Sequence, residues 1–398
     1  MTLNTNDSTK IILPLAVLGP IKGLPLLSGL ETHGGYNSAA DLVTETVDGF
    51  DLNDLWKDFA ASVAMANEGR TKIIQLLTFP VTKNIERVAQ VSSARFEVAS
   101  EYGEPRGIRP GTSAFNLGYD FEWYDLAARY TWKFLAEAPA SQVEANNQMA
   151  LEADNALIFE KVMQALYAGN TNREADINGI QDVPVYGLYN NDGTVPPKHK
   201  NTTFDGTHNH YMVSGGTTLV SADLDDLFQN IAEHGYTLKA GYKHLLFVNT
   251  AESKEIRKFK IDNGDTYDFI PARGDYTQLL PVDQTLVGSQ PAPTYQGLDV
   301  TGSYGPWLVI EDDLFPAKYV VGSATGGPEN LNNVVGLREH ANTSLRGLRL
   351  VKGANPDYPL IDSFYQRGFG TGIRQRGAAA VMQIKATGSY APPASYGY

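Results

Sequence analysis

The chain has 398 residues, 42% of them hydrophobic, enough for two or three domain-sized units with packed cores, so global disorder is excluded. A formal net charge of -13 excludes a protein whose whole surface binds nucleic acid by displacing counterions from phosphate. The chain contains no cysteine, which excludes disulfides, thiolate zinc sites, iron–sulfur clusters and cysteine nucleophiles.

Residues 1–49 are apolar but punctuated by Gly19-Pro20, Gly23, Pro25, Gly29 and Gly34-Gly35. Lys10 followed by Ile11 to Leu18 imitates a secretory signal. However, Pro14, Pro20 and Pro25 break any helix, Lys22 interrupts the run and no small-x-small cleavage site follows. The same prolines prevent a membrane-spanning helix of about 20 residues. Such a segment cannot bury its leucines against itself, so it is predicted to be an extended arm lying on another surface. A short helix follows over Asn53–Asn67, where Leu52, Leu55, Trp56, Phe59, Ala60 and Val63 recur at three- and four-residue spacing. Asp51 or Asn53 is placed to cap it, and Gly69 to end it. Thr71–Thr82 is predicted as a buried strand.

From Ala94 the pattern alternates, with Ala94, Phe96 and Val98 on one face and Arg95 and Glu97 on the other. A turn-rich tip from Tyr102 to Gly111 leads to a return strand. There Phe115, Leu117, Tyr119, Phe121 and Trp123 face opposite to Asn116, Gly118, Asp120 and Glu122. A long hairpin of this kind is marginal alone and should also lie on a neighbour.

A long helix comes next. Pro139 and Ser141 open it, Ser141 and Glu144 have capping-box spacing, and Gly169-Asn170 closes it. Val143, Ala150, Leu151, Leu157, Ile158, Val162, Ala165 and Leu166 form its apolar stripe. At 1.5 Å per residue it is about 45 Å long. Loops and hairpins are predicted over 173–218, with a tight turn at Asn191-Asp192-Gly193. An α/β-like unit follows: Asp223–His234 helical, His244–Val248 a strand, Ala251–Lys260 helical, Trp307–Ile310 and Tyr319–Val321 strands. Leu345–Ala386 reads as β with turns, and Gly388–Tyr398 as a Pro/Tyr/Gly tail. There is no internal repeat.

Few residues suggest chemistry. His208 and His210 could ligate zinc if a third ligand converged, but with Thr207 and Asn209 around them and no cysteine available they read as a polar loop pair. Glu311-Asp312-Asp313 precedes Phe315-Pro316 and reads as a solvated turn. Asp262, Asp265 and Asp268 lack the alternating ligands and distal Glu of an EF-type calcium loop. Gly368-Phe-Gly370-Thr-Gly372 looks like a phosphate cradle, yet lacks the third glycine and the following helix of a dinucleotide fingerprint. No P-loop and no nucleophile elbow occurs, so the sequence offers no catalytic residues and no cofactor site.

The order of arm, long hairpin, long capped helix, α/β unit and closing β segment resembles the tailed-bacteriophage major capsid protein family. So does the ending from Phe364 through Arg367, Gly370, Arg374, Arg376 and Val381 to Ile384. The resemblance spans nearly the whole chain and implies an α+β, Hong Kong 97-like capsid fold. Residues 1–69 would be the N-terminal arm with its short helix, 70–85 a peripheral-domain strand and 86–118 the extended β-hairpin loop. Residues 119–218 would be the peripheral domain, with the spine helix at 139–169 and a loop insertion, and 219–330 the axial domain. The closing β segments of both domains would be 331–388, and 389–398 the C-terminal tail.

The resemblance implies a non-enzymatic protein that self-assembles, as pentamers and hexamers, into an icosahedral virion shell around double-stranded DNA, in the host cytoplasm and without a membrane. Glu104, Arg106 and Arg109 at the hairpin tip are the candidate contacts to a neighbouring subunit. A portal at one vertex, a separate scaffolding protein, a decoration protein and packaged DNA held without sequence-specific contacts are the partners it implies. Some relatives cross-link their shells through an extended-loop lysine. No lysine lies between Lys83 and Lys133, so an uncross-linked shell is expected, as is no maturation cleavage. The alternatives are an encapsulin-type nanocompartment, with the same fold around enzymes, and a β-rich hydrolase or lectin, which would need a pocket of convergent polar groups.

Overall fold

The computed structural model describes residues 43–68, 71–89, 98, 101, 103, 114–169, 174–175, 183–200, 202–274, 290–353, 360 and 362–397. The chain divides at Thr44, and the architecture is that of the compact unit 45–398.

Helix α1 (Leu52–Glu68) buries Leu52, Leu55, Phe59 and Val63, the predicted stripe, and the Asp51 carboxylate accepts the Asn53 N–H at 2.7 Å. The predicted strand over Thr71–Thr82 is half helix: α2 (Lys72–Leu77) precedes β1 (Thr78–Val81). Ile73, Ile74, Leu76 and Leu77 are all buried, so their run carries no period to separate helix from strand. The Thr78 hydroxyl donates to the Ile74 carbonyl and closes the helical turn.

β2 (Ile85–Ala89) and β3 (Ala114–Gly118) pair antiparallel, Ile85 opposite Gly118 and Ala89 opposite Ala114. They form the root of the predicted hairpin; its tip lies outside the described residues. The return strand does not run through to Trp123. It stops at Gly118, and β4 (Glu122–Arg129) joins another sheet.

After α3 (Trp132–Glu137) comes α4 (Ala140–Tyr167), the predicted beam, 28 residues or about 42 Å long. Gly169 has φ +70°, the left-handed close expected there. The start differs from expectation. Ser141 makes no cap, and the carboxylate of Asp48 accepts the Ala140 N–H at 3.1 and 3.2 Å. A cap borrowed from 92 residues away is invisible to local spacing.

The remaining elements are β5 (Glu174–Ala175), β6 (Val183–Pro184), β7 (Tyr211–Val213), α5 (Ser221–Ala232), β8 (Lys243–Val248), α6 (Thr250–Ile256), β9 (Phe269–Pro271), β10 (Thr294–Tyr295), β11 (Leu298–Asp299), β12 (Gly302–Tyr304), β13 (Trp307–Glu311), β14 (Tyr319–Thr325), β15 (Val335–Glu339), β16 (Leu348–Val351), β17 (Asp362–Ile373) and β18 (Ala379–Gln383). A five-stranded sheet runs β1-β15-β17-β16, with β4 also on β17. A seven-stranded sheet runs β7-β18-β14-β8-β13-β12-β9. The predicted α/β unit supplies β8, β13 and β14 of this second sheet with α5 and α6 packed on it, while β7 and β18 join from outside that stretch.

The glycines of β17 explain why the return strand breaks. Gly368, Gly370 and Gly372 share one face of the strand, because side chains alternate. A Cβ on Gly370 would collide with the Asp120 carbonyl, and one on Gly368 would meet the Trp123 ring at 2.6 Å. The chain from β3 to β4 lies flat across that face. The glycine run that looked like a phosphate cradle is a crossing.

α4 is tied to this sheet by polar groups along its otherwise apolar face. Asn147 donates to the Ser62 hydroxyl at 2.9 Å and accepts from Tyr365 at 2.7 Å, joining α1, α4 and β17. Asp154 pairs with Arg367 of β17, both nearly buried. The second half of α4, from Ile158 to Tyr167, enters the main core with α2, β14 and β17. The C-terminal tail docks on that core. Tyr396 stacks on Tyr167 at 5.6 Å, and the Tyr390 hydroxyl donates to the Tyr167 carbonyl. No helix among the described residues is long and apolar enough to cross a membrane.

Candidate functional site

Two features stand out: the surface around the hairpin root and β4, and a cluster of histidines. Glu104, Arg106 and Arg109 fall outside the described residues. What is described is how firmly their loop is rooted. Arg338 donates to the Tyr119 carbonyl at 2.8 Å and to Asn84 at 2.7 Å. Glu86 accepts from the Tyr119 hydroxyl at 3.0 Å and pairs with Arg374 at 3.1 Å. Burial first, then the Glu86 charge, pushes the Tyr119 phenol far up, so it remains a donor. The loop therefore springs from a rigid base. Within it Val98 is 97% exposed, and Trp123 and Leu126 of β4, Met149 of α4, Met65 of α1 and Phe50 are exposed as well.

The second feature was dismissed on sequence as a polar loop pair. His210 is completely buried at the entrance to β7, and His208 is partly buried. His234, just past the end of α5, joins them. The three Nε2 atoms form a near-equilateral triangle: 3.1 Å from His208 to His210, 2.8 Å from His208 to His234, 3.0 Å from His210 to His234. The Nδ1 of His210 lies 2.7 Å from the Ala379 carbonyl, which can only accept, so Nδ1 carries the proton. His234 is held between the rings of Phe204 (4.4 Å, 10°) and Tyr189 (5.5 Å, 17°). The carboxylate of Glu233 reaches to 3.4 Å from the His208 Nε2.

Burial lowers all three histidines, His234 to about 3 and His210 well below its ordinary value, and so disfavours their charged forms. Burial raises the Glu233 carboxyl. Nothing in the spacing announced His234, which is 24 residues from His210 on another element. Only the pair His208-x-His210 was visible, and packing adds His234 to it.

The other candidates do not converge. Glu311 accepts from Ser253 at 2.6 Å and pairs with Arg257, while Asp313 accepts from Thr250 at 2.6 Å and Asp312 from the Leu314 N–H. Asp265 and Asp268 accept backbone N–H groups of Lys260 and Ile261 and organise a turn.

No protein-family model matches the chain, and no curated protein does. Among solved structures, a chain of Mycobacterium phage Patience is 48% identical, with a TM-score of 0.70, over 92% of this chain and 98% of that one. A mature capsid of bacteriophage PhiM1 is similar at 11% identity over 80% and 88% of the two chains, with a TM-score of 0.44. The SrpI encapsulin complex of Synechococcus elongatus is similar at 13% identity over 84% and 98%, with a TM-score of 0.40. The last two likenesses are too slight to bear on function.

Proposed function

The chain belongs to the major capsid protein family of tailed bacteriophages, with the Hong Kong 97-like fold and a place in the virion shell, and on that premise we propose how its parts build the shell. Similarity to the Mycobacterium phage Patience chain, at 48% identity over nearly the full length of both, carries the reading. Copies gather as pentamers and hexamers around the axial domain, 219–330, and the peripheral domain with its α4 spine forms the outer span. The arm, 1–69, and the loop, 86–118, reach across to neighbouring subunits.

The exposed apolar residues support this division. Val98, Trp123, Leu126 and Met149 are left exposed among the described residues, and burying them against a neighbouring subunit would contribute roughly 25 cal/mol per Å² of apolar area before ordering costs are subtracted. The clamp of Arg338, Arg374 and Glu86 holds the loop root so that Arg106 and Arg109 can be presented, with Glu104, to oppositely charged groups next door. The loop has no lysine nucleophile, so the shell is held by noncovalent contacts. The protein performs no catalysis. Its further partners are a scaffolding protein during assembly, a portal at one vertex, a decoration protein and packaged double-stranded DNA held without sequence reading.

Expression of the chain, alone and with a scaffolding partner, followed by size exclusion and electron microscopy tests this. Shells, or capsomers of five and six subunits, are the expected product. A monomer under every condition would overturn the proposal.

A further inference from the structure

Three imidazole nitrogens at mutual distances of 2.8–3.1 Å pose a problem that hydrogen bonding alone cannot solve. A ring nitrogen either bears a proton and donates, or bears a lone pair and accepts; it never does both. A contact between two such nitrogens is satisfied only when one is a donor and the other an acceptor. A triangle has three contacts and only two kinds of corner, so at least one contact always joins like to like. This holds for every tautomer and every protonation state. With its Nδ1–H committed to the Ala379 carbonyl, the neutral His210 ring is one lone-pair corner. If both partners donate to it, two N–H groups face each other across 2.8 Å. If either does not, a lone pair of His208 or His234 faces that of His210 at 3.1 or 3.0 Å.

A cation resolves the conflict, since three lone pairs then converge on one positive centre. The size fits. Zinc bonds to imidazole at about 2.0–2.1 Å, so an ion capping a triangle with sides near 3.0 Å would sit about 1 Å out of its plane. The fourth tetrahedral position is then left to a water or another small ligand, with the Glu233 carboxylate 3.4 Å from the His208 Nε2 at the rim. The surroundings have the form of a ligand cradle. The carbonyl of Ala379 orients His210 from behind, and stacking by Phe204 and Tyr189 locks His234. Gly377 leaves room for that ring, since a Cβ there would lie 2.7 Å from the His234 Cγ.

We propose that His208, His210 and His234 form a structural site for a divalent transition-metal ion of the zinc class. Imidazole donors suit such an ion, whereas calcium and magnesium require shells of oxygen. The ion would staple the segment entering β7 to the end of α5 and, through Ala379, to β18. In a chain without cysteine it supplies a cross-link that a disulfide cannot.

The experiment uses assembled shells or purified capsomers of the full chain, stripped with a chelator and titrated with Zn²⁺ and, separately, Co²⁺. One Zn²⁺ per chain is expected by elemental analysis, with the visible absorption of tetrahedral Co²⁺ and a rise in the unfolding midpoint of at least about 3 °C. His208→Asn and His234→Gln should each cut the bound metal at least about tenfold. If the stripped wild-type protein takes up less than about 0.1 equivalent at micromolar free Zn²⁺ and gives no Co²⁺ band, the proposal is overturned. The wild-type titration decides the matter even if a variant fails to fold.

Discussion

Strands β4 and β8 both carry large apolar side chains and live in opposite surroundings. β4 reads Glu-Trp-Tyr-Asp-Leu-Ala-Ala-Arg, and β8 reads Lys-His-Leu-Leu-Phe-Val. Leu245, Leu246, Phe247 and Val248 are wholly buried, because β8 has β13 and β14 on its edges and helices over its sheet. Trp123 and Leu126 are 44% and 46% exposed, because β4 pairs with β17 alone among the described residues. β4 carries Glu, Asp and Arg among its eight residues, whereas β8 carries one lysine among six, so composition already leans the same way. The number of neighbouring strands differs in the same direction among the described residues.

Four experiments bear on this contrast. The largest effect should come from the support beneath β4. Asp154→Ala leaves Arg367 of β17 buried without its counter-ion and should cost about 3–5 kcal/mol in denaturant unfolding of the subunit. Next, Leu246→Ala in β8 opens a cavity in a filled core and should cost about 2–5 kcal/mol. A loss under about 1 kcal/mol would break the comparison, since β8 would then be no more essential than an uncovered strand.

A smaller effect is set by pH. His244 of β8 donates through Nε2 to the Tyr236 carbonyl at 2.8 Å, and its buried Nδ1 has no partner among the described residues. Burial holds its folded pKa below 6.5, so the unfolded chain takes up a proton that the folded chain refuses. Stability is therefore full above 6.5 and falls as pH drops below it, by at most about 1.4 kcal/mol per pH unit from this group. His208, His210 and His234, also lowered by burial, add slope of the same sign, so His244→Gln should reduce but not abolish the loss of stability between pH 7 and pH 5.5; an unchanged slope would remove His244 as a contributor.

The smallest change in stability is expected at β4 itself. Leu126→Ser should leave subunit unfolding within about 0.5 kcal/mol, while reducing shell yield by about threefold or more. A variant that destabilises the isolated subunit but assembles normally would place Leu126 in a hidden core.

How far the fold was legible follows from where its information lay. α1, α4, β8, β13 and β14 were readable because their apolar spacing or continuity is local and their ends carry Asp51, Gly169 or similar punctuation. The helix over Lys72–Leu77 was read as strand because Ile73, Ile74, Leu76 and Leu77 are buried all round, which erases the period. Of the histidine cluster, two members were visible and then set aside. Their burial, and the arrival of His234, depend on how α5 and β18 pack around the segment entering β7.

The sequence by itself determined the long helix and the exclusion of thiol chemistry, which rest on periodicity within one element and on composition, and its resemblance to a known family pointed to the class of the protein. Tertiary structure alone decided three further things. One is that the Asp48 carboxylate caps α4 across 92 residues, and another is that three glycines of β17 let the chain cross between β3 and β4. The last is that three histidines meet at Nε2 distances of 2.8–3.1 Å. Each of these is a contact between segments distant in the chain, where spacing carries no signal and only packing brings the groups together.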